Sequence, residues 1–200
     1  MRLDHLAIAA TSLDEGVAWA EGRLGVPLLA GGKHARFATH NRLLGLGQGI
    51  YLEVIAPDPD ATCDGPRWFG LDHFSGPPRL ANWICAVPDL PAALKDAPEA
   101  GIVPMQRGDL RWDMAVPDDG SLPMNGGFPT LLQWHTDSPP GELLPESGVE
   151  LVELVVQHPE AKVLSAQLSA QLADPRILFE TAMEPALNAR LMTPRGMVSL

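Results

Sequence analysis

Two polar side chains interrupt apolar segments that otherwise have the composition of buried strands. His5 lies in LDHLAIAA near the N-terminus, and Glu53 lies in YLEVIAP. Imidazole and carboxylate groups transfer protons near neutral pH and also bind divalent metal ions. Because a buried carboxylate is costly without a partner, we predict that Glu53 and His5 belong to a functional site. The alternative for His5 is a structural histidine that hydrogen-bonds to a neighbour such as Glu53.

The alternation of side chains along a strand indicates where these two groups point. Successive residues face opposite sides of a sheet, and the bulkier apolar face packs against a helix. His5 and Glu53 lie on the other face of their strands, which can line a cup. The predicted cup-facing residues are Leu3, His5, Ala7 and Ala9 in the first strand and Tyr51, Glu53 and Ile55 in the second; the helix-facing ones are Leu6, Ile8, Leu52 and Val54.

The pattern around His5 recurs later in the chain. LANWICAVPDLPAALKD repeats LDHLAIAATSLDEGVAW at an offset of 77 residues, which aligns Asn82 with His5 and Leu90 with Leu13. A third segment of the same shape begins at Val149. Each copy consists of an apolar strand, a short polar break and a helix, and three β-prone segments follow each helix.

The repeat predicts an α+β fold of βαβββ modules, the first two forming a curved, cup-shaped sheet and the third a degenerate C-terminal copy that buttresses it. Segments rich in Pro, Gly, Ser and Asp separate the modules. The predicted boundaries are 1–58, 79–137 and 148–200 for the modules and 59–78 and 138–147 for the linkers, all within one compact unit. The first linker is long for a structureless loop, and its Arg67, Trp68, Phe69 and His73 favour a functional role.

The second module contributes two neutral candidates to the cup. Asn82 stands at the His5 position, and Gln133 in TLLQWHT is taken as the counterpart of Glu53. A slip of one residue would invert this assignment. In the chosen register the cup-facing residues are Leu131, Gln133 and His135, and the helix-facing ones are Leu132 and Trp134.

These segments resemble the vicinal oxygen chelate superfamily and, within it, the glyoxalase-like domain branch. HARFATHNRLLGLGQGIYLEVIAPD is similar to the branch's G-x-H, T-x-N-x-L and YLELI pattern. RLANWICAVPDL, LRWDMAVP, GGFPTLLQWH and TPRGMVSL extend the resemblance over nearly the whole chain. The resemblance implies paired βαβββ modules around a binding cup. In metal-dependent members, the first and last strands of each module hold a divalent ion.

Transferred to this chain, the metal positions are His5, Glu53, Asn82 and Gln133. Histidine and glutamate suit Zn, Mn, Fe, Co or Ni, and glutamine is a ligand in some members, whereas asparagine departs from the usual His or Glu. The candidate metal ligands are therefore His5, Glu53 and Gln133. Because a catalytic ion needs about three good protein ligands, the prediction favours a cup without a tightly bound metal.

Other polar residues extend the candidate site. The resemblance places His34 and Asn41 at the rim of the cup, although a glycine turn and an exposed hairpin also explain them. His40 or His135 could substitute as a ligand, and Arg111 either anchors a substrate carboxylate or pairs on the surface. Trp83, Trp112 and Trp134 are predicted to be core residues. The predicted catalytic residues are His5 and Glu53, and the predicted substrate-binding residues are His34, His40, Asn41, Asn82, Arg111 and Gln133.

Composition restricts the class of partner. The net charge of −11 and the scattered basic residues argue against nucleic acid. No apolar run approaches the roughly 20 residues that cross a bilayer, and no secretory signal is recognisable. Two cysteines, Cys63 and Cys85, fit a reducing compartment. We predict a cytoplasmic protein with a small-molecule ligand and neither a nucleic-acid nor a membrane partner, and we leave a homodimer open.

Two functions remain open at this stage. One is an enzyme of the lyase, isomerase or dioxygenase type that acts on a small oxygenated metabolite, with His5 and Glu53 holding a metal or moving a proton. The other, implied by the resemblance, is a non-catalytic protein of the bleomycin-resistance type that sequesters a drug. The acidic charge would suit a cationic drug. A sensor or assembly partner with a vestigial cup is a third alternative.

Overall fold

A computed structural model describes the whole chain, residues 1–200. In the first module, Ser12 begins the helix because its hydroxyl accepts a hydrogen bond from the Glu15 amide, and Gly25 ends it in the left-handed region at φ 74°. The second strand ends at His34, since residues 35–37 form a 3₁₀ turn. The elements are β1 (Arg2–Ala9), α1 (Leu13–Leu24), β2 (Leu29–His34), β3 (Thr39–Gly45) and β4 (Tyr51–Pro57).

The second module repeats this order with a shorter helix. Asp89 begins that helix by accepting a hydrogen bond from the Ala92 amide, and the proline in the first turn needs no hydrogen-bond partner there. The elements are β5 (Arg79–Ala86), α2 (Leu90–Ala93), β6 (Gly101–Arg107), β7 (Leu110–Val116) and β8 (Thr130–Trp134).

Eight strands of the two modules form one sheet in the order β2-β3-β4-β1-β5-β8-β7-β6. Within each module the first and last strands are parallel, and β1 joins β5 in antiparallel pairing across the middle. The sheet curls so that its edge strands β2 and β6 come into contact. The α+β fold with two βαβββ modules in one curved sheet is therefore confirmed.

The internal repeat is also present in the strand pairing. Ala7 pairs with Glu53 in the first module, and Ile84 pairs with Thr130 in the second, so both partners are displaced by the same 77 residues. Thr130 is therefore the structural counterpart of Glu53.

The C-terminal segment has the predicted order of elements but a different strand order. A one-turn helix, α3 (Pro140–Leu143), precedes it. Its sheet has the order β10-β9-β11-β12, with β10 parallel to β9 and directly beside it. In the first two modules the strand after the helix lies at the far edge instead, so the resemblance to them is confined to the order of elements. The elements are β9 (Glu150–His158), α4 (Ala161–Leu168), β10 (Ile177–Thr181), β11 (Ala186–Thr193) and β12 (Gly196–Ser199).

Two separate apolar cores occupy the two faces of the curved sheet. The outer core contains Leu6, Val54 and Trp83 and continues into Leu154 and Leu164 of the C-terminal segment. The inner core lies inside the cup and includes Ala7, Ala9, Ile55, Trp112 and Leu132.

The predicted alternation holds for the apolar residues of β1 and β4, with one exception. Leu3 lies in the outer core instead of facing the cup. A bulge between Leu3 and His5 shifts the alternation at this point. None of the four helices has the length and apolarity required to span a membrane.

Candidate active site

His5 is fixed at one ring nitrogen by its neighbour in the chain. Its Nδ1 lies 2.8 Å from Oδ1 of Asp4, and its ring stacks on Tyr51 with centroids 4.4 Å apart. Asp4 Oδ2 accepts a hydrogen bond from Trp134 Nε1 at 2.9 Å. Because the carboxylate of Asp4 accepts the Nδ1 proton, the neutral ring carries its lone pair on Nε2. The free nitrogen of His5 is therefore a proton acceptor.

Glu53 presents one free oxygen to that nitrogen. Its Oε1 accepts a hydrogen bond of 2.5 Å from Asn41 Nδ2, and its Oε2 lies 3.7 Å from His5 Nε2. The second distance is too long for a hydrogen bond. Two buried proton acceptors thus face one another across a narrow gap, which suits a ligand group that donates a proton to either of them.

Asn41 is held in one orientation by donors on its carbonyl side. Its Oδ1 accepts hydrogen bonds from the Gly32 amide at 2.7 Å and from Arg107 Nη1 at 3.4 Å. Both donors require an oxygen at that position, so the amide nitrogen of Asn41 must point to Glu53. The Gly32 amide reaches Asn41 because β2 has a bulge between Ala30 and Lys33.

These groups line a small cavity inside the cup. Its free volume is about 20 Å³, room for about one water molecule. Aromatic rings form much of the wall, including Trp112 and Trp134 with centroids 5.3 Å apart. A metabolite therefore enters only if part of the wall moves. The lining residues are His5, His34, Asn41, Leu43, Tyr51, Glu53, Trp68, Phe69, Arg107, Trp112, Met114, Leu132, Trp134 and Pro140.

The titration of two further lining groups is strongly perturbed. Burial, assisted by Arg107, His5 and His40, lowers the pKa of His34 to about 3. His34 is therefore a neutral hydrogen-bonding group at physiological pH, with Nδ1 3.1 Å from the Thr39 hydroxyl. Burial also raises the pKa of Tyr51 well above its ordinary value, so its phenol keeps its proton.

The structure brings His5, His34, Asn41 and Glu53 together at this cavity, but it places Gln133 elsewhere. Leu132 and Trp134 face the cavity, and Oε1 of Gln133 accepts a hydrogen bond of 2.8 Å from the Leu90 amide at the start of α2. The predicted register of β8 was inverted by one residue.

Asn82 is fully buried and does not line the cavity. Its Nδ2 donates to the Thr130 hydroxyl at 2.9 Å, and its Oδ1 accepts from the Trp83 amide. Asn82 and Thr130 occupy the positions of His5 and Glu53 in the second module. This pair forms its hydrogen bonds within the sheet, so neither residue supplies a polar group to the cavity.

The remaining two predicted residues lie outside the cavity. His40 is half-buried in β3 opposite Ala56. Arg111 is exposed on β7, where its amide donates to the Thr136 hydroxyl. Neither side chain can contact a ligand held between His5 and Glu53.

Sequence reasoning missed Arg107 and Asp4. It assigned Trp112 and Trp134 to the core; Trp112 belongs to the inner core, Trp134 packs against it, and both also line the cavity. Asp4 could have been recognised from the sequence, since a second polar residue beside His5 in an apolar strand is unusual. Arg107 could not have been, because it reaches the first module from β6 across the gap between the two sheet edges.

The donor set does not fit a catalytic metal with three protein ligands. His5 and Glu53 are suitable donors, but no three His, Cys, Asp or Glu side chains are grouped to hold an ion. The second module supplies Met114, Leu132 and Trp134 instead, and the guanidinium of Arg107 adds a positive charge beside Asn41. We therefore derive no chemistry from a bound metal.

Residues 3–172 match the family model described as a glyoxalase-like domain. The chain belongs to this family. The sequence motifs had indicated this same glyoxalase-like domain. No curated protein is similar enough to be matched.

Solved structures resemble the glyoxalase-like chain at low sequence identity. A hypothetical protein from Staphylococcus aureus is 14% identical, with 92% of this chain and 87% of that chain covered and a TM-score of 0.64. A methylmalonyl-CoA epimerase from Mycobacterium tuberculosis is 20% identical, with 66% and 85% covered and a TM-score of 0.44. A methylmalonyl-CoA epimerase in complex with methylmalonyl-CoA and NH4+ is 16% identical, with 70% and 98% covered and a TM-score of 0.46. The first of these supports the fold.

Proposed function

We propose that this protein is an isomerase-type enzyme that transfers a proton within a small oxygenated metabolite without help from a tightly bound metal. The observation that carries the proposal is the pair of buried proton acceptors, His5 Nε2 and Glu53 Oε2, which lie 3.7 Å apart. Acceptors placed this way can receive two protons of one ligand, one from carbon and one from a hydroxyl group.

Each side chain has a distinct part in this reaction. Oε2 of Glu53 takes the proton from a carbon next to a carbonyl group, which leaves an enolate and a protonated carboxyl group. His5 Nε2 accepts a hydrogen bond from a neighbouring hydroxyl group of the ligand, and Asp4 stabilises the ring when it gains that proton. Glu53 then returns its proton to the former carbonyl carbon, and His5 returns the hydroxyl proton to the former carbonyl oxygen. The carbonyl and hydroxyl groups have then exchanged places, and no atom or electron is gained or lost.

The burial of the pair favours this chemistry. His5 and Glu53 are about 4–5% exposed, so a bound ligand would meet them without competing water.

Hydrogen exchange tests the proposal directly. The protein is incubated in D2O with hydroxyacetone, pyruvate or methyl pyruvate, and proton NMR follows the loss of the C–H signals next to the carbonyl. We expect catalysed exchange with at least one compound and a fall of about 10²-fold or more in Glu53→Gln. Glutamine still accepts the hydrogen bond from Asn41, so the fold is retained.

Arg111→Gln is the matched control, since Arg111 is exposed and outside the cavity. It should leave the exchange rate unchanged. Equal rates in wild type and Glu53→Gln, or no exchange with any compound, would contradict the proposal.

Sequestration without turnover is the second candidate, and the tryptophan-rich wall favours it. Trp68, Trp112 and Trp134 offer apolar surface for an aromatic ligand. Arg107 disfavours the cationic drug that the acidic composition suggested, because a positive charge lines the same cavity. Tight binding of a neutral aromatic compound with no exchange activity would support this candidate.

A further inference from the structure

We propose that Arg107 selects substrates that carry a carboxylate, so that the cavity acts on small acids bearing a carbonyl or hydroxyl oxygen. This inference rests on the proposed function and names its substrate class. Arg107 would contact the substrate itself and thereby determine specificity.

The charge of Arg107 is unmatched in the cavity. It is the one side chain of the lining that carries a permanent positive charge, since no lysine is present and His34 is neutral at physiological pH. Other arginines of the chain, such as Arg67 and Arg176, have carboxylate partners within 2.7 Å. Arg107 takes part in no ion pair, although the chain contains 25 acidic residues.

The hydrogen-bonding capacity of Arg107 is also largely unused. Its guanidinium group has five N–H donors, and the contact with Asn41 Oδ1 at 3.4 Å uses one of them weakly. The half-buried guanidinium group can therefore form two parallel hydrogen bonds with an incoming carboxylate.

Two glycines of β2 leave space for the side chain of Arg107. Gly32 belongs to β2 of the first module, and a Cβ atom at this position would lie 2.5 Å from Cδ of Arg107. At the neighbouring Gly31, a Cβ atom would overlap the oxygens of Asn41. The glycine pair thus leaves space for an arginine from one sheet edge to reach the opposite edge above Asn41.

This placement orients a ligand as well as attracting it. Asn41 contacts both Arg107 and Glu53, through Oδ1 and Nδ2 respectively. A carboxylate held by Arg107 therefore lies one side chain away from the catalytic oxygen, which brings the adjacent carbon of a small acid towards Glu53. The pairing also offsets the repulsion between that carboxylate and Glu53.

Binding of matched acids and neutral esters tests the inference. Pyruvate, lactate and malonate are titrated against wild type alongside their methyl esters, with the fluorescence of the cavity tryptophans as the readout. We expect each acid that binds to do so at least tenfold more tightly than its ester. In Arg107→Gln this preference is lost. Arg107→Lys keeps part of it, because lysine retains the positive charge but lacks the planar guanidinium group that forms two parallel hydrogen bonds.

Two further variants separate this inference from the proposed function. Glu53→Gln should still bind the acids while losing exchange activity, and Arg111→Gln should behave as wild type in both assays. Acid binding that depends on Arg107 without any exchange would retain the inference and remove the proposed function. Failure of the acids to bind better than the esters, or equal preference in a folded Arg107→Gln protein, would overturn the inference.

Discussion

The polar atoms of His5 and Glu53 differ in whether they already form a hydrogen bond within the protein. Nδ1 of His5 is hydrogen-bonded to Asp4, and Oε1 of Glu53 accepts a hydrogen bond from Asn41. The two atoms left free converge on the same gap. The sequence predicted both residues from their place in apolar strands, but which atom of each is free depends on neighbours that only the folded chain brings together.

Replacing Asp4 with asparagine should move the proton of His5 to the other ring nitrogen. Trp134 Nε1 donates to Asp4 Oδ2, so the amide of an asparagine must keep its oxygen there and turn its nitrogen towards His5 Nδ1. The ring of His5 then carries its proton on Nε2 and no longer accepts one from the ligand. We expect NMR of ¹⁵N-labelled protein to detect the change of tautomer, together with a fall in exchange rate. An unchanged tautomer would contradict the assigned hydrogen bonds.

His34 should make the fold sensitive to acid. Its pKa is 6.5 as a free side chain and about 3 in the folded protein. Above pH 6.5 the residue is neutral in both states and stability does not depend on its titration. As the pH falls from 6.5 towards 3, only the unfolded chain takes up the proton, and stability decreases by up to about 1.4 kcal/mol per pH unit.

Urea denaturation between pH 7 and pH 4 measures this dependence. The free energy of unfolding of His34→Gln should fall less steeply with decreasing pH than that of wild type. His73→Gln, at an exposed position of the first linker, is the control and should keep the wild-type slope. Identical slopes in all three proteins would count against a neutral buried His34.

Individual strands show how far alternation predicts a site. In β1 and β4 it placed His5 and Glu53 on the cup face, since apolar neighbours on both sides defined the two faces. In β8 it failed at Gln133, because Leu131, Leu132 and Trp134 are apolar on either face. The register of β8 is determined by its pairing with β5, which aligns Thr130 with Ile84. The sequence of β8 alone therefore does not determine which of its residues face the cup.

The bulge in β2 was not visible in the sequence either, although its glycines were. A methyl group at Gly31 would overlap Asn41 Oδ1 and the backbone oxygen of Asn41, and the backbone cannot withdraw easily. We expect Gly31→Ala to destabilise the protein by about 1–3 kcal/mol and to weaken exchange by displacing Asn41 from Glu53. Chemical denaturation and the exchange assay measure the two effects.

Gly22→Ala provides the matched comparison. Gly22 lies in α1 with open space around its Cα, so alanine should stabilise the helix by about 0.5–1 kcal/mol. A Gly31→Ala protein that is as stable and active as wild type would show that β2 does not constrain Asn41.

Over the whole molecule, the C-terminal segment shares the outer core with both modules. Leu154 and Leu164 pack in the same cluster as Leu6, and the ring of Phe179 lies 6.1 Å from that of Trp83. The sequence predicted the order of elements in this segment. It did not predict the parallel pairing of β10 with β9, since adjacent strands cannot be inferred from the order of elements alone.

Unfolding should therefore involve all three parts of the chain together. Leu164 is fully buried in α4, and Leu164→Ala should cost about 2–5 kcal/mol even though it is remote from the cavity. The neighbouring Val163 is 61% exposed, and Val163→Ala should change the stability by less than about 0.5 kcal/mol. Fluorescence of the cavity tryptophans and far-UV circular dichroism should report one common urea transition. Two separated transitions would show that the segment unfolds independently.

The pairing of β1 with β5 also determines how a ligand can arrive. Hydrogen bonds fasten the two modules edge to edge from Arg2 to Ala9, in the middle of a continuous sheet. The two modules cannot separate as rigid bodies without breaking the hydrogen bonds between β1 and β5. A ligand therefore enters through movement of the connecting segments that cover the cavity. In one of them, Phe69 has a left-handed backbone conformation at φ 60°. Association is then paced by the opening of these segments and not by the rate of diffusional encounter.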